Sequence, residues 1–71
     1  LINIEVERAY HTILQKIRNG HYPIGEILNE TIITNEICIG RKFIRVAIKR
    51  LRKEGVVESA FGIGTVVTKI R

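Results

Sequence analysis

The sequence contains no aspartate and one cysteine, and no apolar run approaches the roughly 20 residues needed to span a bilayer. Each absence excludes something. Without aspartate, and with Ser59, Cys38, His11 and His21 forming no nucleophile, base and orienter set, the chain is not expected to be an enzyme. A single cysteine cannot make an internal disulfide, and Cys38, between Ile37 and Ile39, reads as a buried, inert thiol. His11, His21 and Cys38 show no paired-ligand spacing, so neither a structural metal nor any cofactor is expected. No charged-then-apolar leader opens the chain, which points to the cytoplasm. It begins at Leu1 rather than methionine, which fits one domain taken from something longer.

What is present suits one small folded domain. Seventy-one residues hold a single modest core, and 45% apolar residues are too many for a chain kept disordered by its charge. The formal charge of +5 is unevenly spread. Residues 1–37 carry three basic and five acidic side chains, a net of −2, whereas residues 38–71 carry nine basic against Glu54 and Glu58, a net of +7. Clustered charge of one sign acts on partners more strongly than the same charge dispersed.

Ile4, Val6, Tyr10, Ile13, Leu14 and Ile17 follow helical spacing, and this first helix should close at Asn19 and Gly20, with Pro23 preventing its continuation. Residues 26–28 can form a short strand, too brief for periodicity to decide. Asn29 is placed to cap a second helix that buries Ile32, Ile33 and Ile37. Its many β-branched residues lower its helix propensity, so tertiary packing must stabilise it. Cys38, Ile39 and Gly40 form a tight turn. From Arg41 to Glu54, Ile44, Ala47, Ile48 and Leu51 gather in one stripe, while Arg41, Lys42, Arg45, Lys49, Arg52 and Lys53 fan across the other side. Gly55 ends this third helix. Strands at 56–60 and 65–70, joined by Phe61, Gly62, Ile63 and Gly64, then read as a hairpin. Tyr10, Tyr22 and Phe61 are assigned to the core, and His11 and His21 to the surface.

The fold expected is mainly α with a small β-hairpin, a winged helix-turn-helix of three helices plus a wing, occupying residues 1–71. In this arrangement the second helix of the pair enters the major groove of DNA. Arg41 and Arg45, one turn apart at the start of the basic face, are placed to read bases, because bidentate Arg to guanine is the commonest specific contact. Lys42 and Lys49 are placed on phosphates, and Arg50, Arg52 and Lys53 serve DNA or the helix C-terminus equally well. A basic amphipathic helix also suits a protein-interaction or membrane-surface module, and RNA or single-stranded DNA is a nearer rival. Against lipid stands the apolar stripe, which the core needs.

The sequence resembles the N-terminal domain of the GntR family of bacterial transcription regulators over nearly its whole length. The family's helix tyrosine and glycine-aromatic-proline-glycine loop look like Tyr10, Gly20, Tyr22, Pro23 and Gly25. Its L-x-E helix start looks like Leu28, Asn29 and Glu30. The recognition-helix signature is similar to Gly40, Arg41, Ile44, Arg45, Ala47 and Ile48, followed by Leu51, Glu54, Gly55 and Val57. The wing motif is matched by Gly62, Gly64, Thr65 and Val67. The resemblance implies sequence-specific binding of double-stranded DNA, with the recognition helix at 41–54 in the major groove and a wing at 56–70 against the minor groove or backbone. It adds Thr31, Gly40, Gly62 and Gly64 to the DNA-contacting set. It also implies a homodimer on a palindromic operator, with an effector bound by a C-terminal domain for which these residues leave no length. Departures are Gly40 for a capping Ser or Thr, Phe43 for Pro or Thr, Val46 for Glu, Thr31 for an occasional Arg, and Phe61 and Ile63 for basic residues at the wing tip.

Overall fold

The computed structural model describes residues 3–70; the ends of the expected domain, Leu1, Ile2 and Arg71, lie outside the described residues. Helix α1 spans Ile4–Arg18. The Asn3 side chain caps it, its Oδ1 accepting from the Glu5 and Val6 amides at 2.9 and 3.2 Å. Gly20, at φ +84°, turns the chain away after Arg18. The short strand β1, Ile27–Leu28, leads into α2, Glu30–Ile37, which Asn29 caps through the Thr31 and Ile32 amides. Helix α3 covers Arg41–Lys53, with Glu54 as its C-cap rather than its last residue. Strands β2, Val57–Ala60, and β3, Gly64–Val67, complete the chain and are shorter than their apolar pattern suggests. Beyond Val67 the Thr68 hydroxyl donates to the carbonyls of Gly55 and Val56 instead of extending the ladder.

The hairpin is part of a three-stranded antiparallel sheet in the order β1-β3-β2. Leu28 pairs with Thr65 and Ile27 with Val66, so the brief segment that periodicity leaves undecided gains its structure from β3. Sheet and helices close over one core. Ile13 and Ile17 of α1, Ile33 of α2, Ile44 and Leu51 of α3, and Val56, Val57 and Val67 are its largest fully buried side chains. Tyr10 and Tyr22 are buried at its edge, their hydroxyls donating to Glu54 and Glu36. Burial and the hydrogen bond to Glu36 push the Tyr22 hydroxyl pKa up. That same bond, joined by the nearby His21 and Lys16, holds the Glu36 carboxyl below its ordinary range.

Four expectations about burial need correction. Ile4 is 72% exposed, because at about 100° per residue it lies half a turn from Ile13. Ile32 is exposed for the same reason: it precedes the buried Ile33 by one residue and points off the α2 face, while Ile37 is half-buried. Cys38 is exposed, not buried. It closes α2 in the left-handed conformation at φ 57°, and in so tight a turn the burial of Ile39 carries no information about its neighbour. Phe61 is wholly exposed at the hairpin tip.

Candidate nucleic-acid interface

Helix α3 is divided lengthwise. Ile44, Ala47, Ile48 and Leu51 are buried, and Arg41, Lys42, Arg45, Lys49, Arg52 and Lys53 are exposed. Burial of the apolar stripe against α1, α2 and the sheet therefore fixes which way the cations point, which is toward solvent. Gly40 caps the helix without any side-chain hydrogen bond; its carbonyl accepts from the Phe43 and Ile44 amides. A β-carbon at Gly40 would stand 3.4 Å from the Phe43 ring, a tight but tolerable contact.

The two arginines assigned to base reading are held in place by α2. Arg41 donates through Nη2 to Thr31 Oγ1 at 2.6 Å, and Arg45 donates through Nε to Glu30 Oε1 at 3.0 Å. The second contact is an exposed ion pair and adds little stability. Its value is directional. Because Glu30 engages Nε, both terminal Nη groups of Arg45 stay clear of that contact, and the ion pair restricts the rotamers of the side chain. Thr31 thus stands beside Arg41 and supports it. Glu30, legible in the sequence only as a helix-start residue, proves to be the ion-pair partner of Arg45. The signal is the L-x-E motif itself, but pairing across 15 residues depends on how α2 crosses α3.

Other cations separate by environment. Lys42 lies over the Phe43 ring with Nζ 5.1 Å from its centroid. Lys49 is exposed and borders a shallow depression of about 300 Å³ with Val46, Arg50 and Lys53. Arg50 belongs to the fold: it donates to Glu7 at 2.7 Å, lies 3.8 Å from Glu54, and stacks 3.8 Å over the Tyr10 ring, fastening α3 to α1. Arg52 reaches the wing, its Nη2 standing 3.4 Å from Thr65 Oγ1. The wing turn depends on glycine at Gly62 and Gly64, with φ of +76° and +123°. A side chain at Gly62 would meet nothing within 4 Å, so backbone conformation rather than crowding dictates that residue.

Two helices joined by a tight turn, the second with a cationic outer face, followed by a hairpin packed against its far end, define a winged helix-turn-helix domain. The chain belongs to the GntR family of bacterial regulatory proteins, whose family model matches residues 5–67. It is 34% identical over 58 residues to YdfD, an HTH-type transcriptional regulator of Bacillus subtilis, an alignment covering 80% of this chain and 12% of that protein. Among solved structures, that of Lar, which controls expression of the Listeria monocytogenes agr system, superposes with a TM-score of 0.86 at 28% identity, covering 97% of this chain and 32% of the other. A Streptococcus agalactiae GntR protein superposes at 0.78 with 31% identity, covering 90% of this chain and 31% of its own. The chain thus spans about an eighth of the curated relative's length and about a third of each solved relative.

Proposed function

We propose that this chain is the DNA-reading domain of a bacterial transcription regulator. Helix α3 enters the major groove of double-stranded DNA, where Arg41 and Arg45 contact base edges and Lys42 and Lys49 contact phosphates. The wing, with Gly62 and Gly64, lies against the adjacent minor groove or backbone. The regulator is a cytoplasmic homodimer that recognises a palindromic operator, has no enzymatic activity of its own, and binds its effector through a domain outside these residues. The observation that carries this reading is the pair of exposed arginines at the start of α3, each supported by a side chain from the first turn of α2. The names of Lar and YdfD, as regulators of expression and transcription, agree with it. A membrane-surface role is disfavoured because the apolar stripe of α3 is consumed by the core. Among the described residues, no helix is long and apolar enough to cross a membrane.

The test separates reading from positioning. On a duplex selected by this protein from a randomised pool, Arg45→Ala is expected to cost about 1 to 3 kcal/mol and to relax base preference. Lys49→Ala is expected to weaken selected and random duplexes by the same factor, because phosphates carry no sequence information. Fluorescence anisotropy on both duplexes measures this. Equal fractional losses on the two duplexes for both variants would contradict the assignment.

A further inference from the structure

The wing ends in apolar side chains for which the fold has no use. Phe61 is fully exposed, at 105% of its reference area, and Ile63 is 59% exposed. The turn requires neither, since it closes through the Ile63 amide to the Ala60 carbonyl at 2.9 Å and through the positive φ of Gly62. Residues 60–64, Ala-Phe-Gly-Ile-Gly, contain no charged group, so the tip cannot engage phosphates by ion pairing. What it offers is an aromatic ring on a narrow, otherwise slender loop.

Register places the wing beside the start of α2. Leu28 faces Thr65 across β1 and β3, so the chain leaving β1 toward α2 runs beside the chain that leads from the tip into β3. The next residues on that path, Glu30 and Thr31, are those that hold Arg45 and Arg41. Strand β3 and the start of α2 are therefore neighbours, and the start of α2 in turn adjoins Arg45 and Arg41. Arg52, bonded to Thr65, joins the wing to α3 directly.

We propose that Phe61 is an apolar wedge that enters the minor groove next to the α3 site on the same duplex and partly unstacks one base step, with Ile63 packed beside it. The inference rests on α3 being the major-groove helix. Phenylalanine and isoleucine are among the side chains that open base steps from the minor groove, and pyrimidine–purine steps yield most easily. The occupant is the duplex rather than a second copy of the chain, because Arg52, on the exposed cationic face of α3, bonds Thr65 of the wing and so sets the wing beside that face.

The experiment uses the selected duplex with 2-aminopurine placed in turn at each position flanking the α3 site. The wild-type chain should raise fluorescence at one step. Phe61→Ser should abolish that rise and weaken binding about tenfold, with an unchanged melting temperature and an unchanged salt slope, since no stacking wedge remains and no phosphate contact is lost. Phe61→Leu, which keeps an apolar wedge, should retain most of both signals. Wild-type affinity in Phe61→Ser, or no fluorescence change at any position, overturns the wedge while leaving the α3 reading intact. Self-association of the free chain that Phe61→Ser abolishes assigns the tip to a second copy and also overturns it. Absence of any duplex binding by the wild-type chain removes the α3 reading and the wedge together.

Discussion

Fusing a dimerising segment after Arg71 is expected to raise affinity for a palindromic duplex by about 10² to 10⁴, without adding a single protein–DNA contact. On the proposed reading, one copy of α3 offers two arginines and a few lysines to a half-site, which is a small contact set for a specific complex. Two copies held at the spacing of one helical turn, roughly 34–36 Å, make the second binding event intramolecular. The gain should vanish when one half-site is scrambled, which separates avidity from a general increase in charge. The prediction also requires the free chain to be mainly monomeric. The sequence pattern assigns its apolar positions to the core, yet Ile24, Ile27, Ile32, Val46, Phe61 and Ile63 are among the large side chains left exposed. Sedimentation equilibrium of the free chain decides whether they self-associate. A tight dimer, or equal affinity of fused and unfused forms, would contradict the expectation.

Leu51→Ala is expected to leave the isolated domain largely unfolded. Leu51 is completely buried on α3. Truncating such a leucine costs about 2 to 5 kcal/mol, whereas a core in a chain of this size rarely supplies more than about 3 to 5 kcal/mol in total. Ile32→Ala, on the exposed side of α2, should change stability by less than about 0.5 kcal/mol. Urea denaturation followed by circular dichroism compares the two. A Leu51→Ala domain that unfolds at the wild-type midpoint would mean that α3 is not anchored through this stripe, and the orientation of its cationic face would lose its physical basis.

That orientation is legible in the amino-acid pattern alone, because a 13-residue helix with four buried apolar positions in register leaves its other face no choice. The caps at Asn3 and Asn29 and the glycine that ends α3 are equally local. Asn29 and Gly55 announce themselves by residue type and place. What the pattern does not carry is non-local. Strand β1 exists because Ile27 and Leu28 pair with Val66 and Thr65 far along the chain, and two residues have no periodicity to display. The Arg45–Glu30 pair depends on the crossing of two helices, and the Arg50 contacts with Glu7 and Tyr10 depend on the packing of α1 on α3. Cys38 departs from its expected burial because adjacent residues in a tight turn point in opposite directions. Phe61 departs from it because aromatic residues usually belong to a core, and only the geometry of the hairpin shows that no core lies within its reach.

The central claim is that the cationic face of α3 binds duplex DNA, and its most direct test is the salt dependence of binding by the wild-type chain and by Lys49→Ala. Each phosphate neutralised releases counterions, so log affinity should fall linearly with log salt, with a slope of about −0.9 per phosphate contact on B-form DNA. Removing the Lys49 ammonium should make that slope shallower by about one. A steep wild-type slope that Lys49→Ala reduces is the predicted result; an affinity indifferent to salt, or a slope unchanged by the substitution, would contradict it.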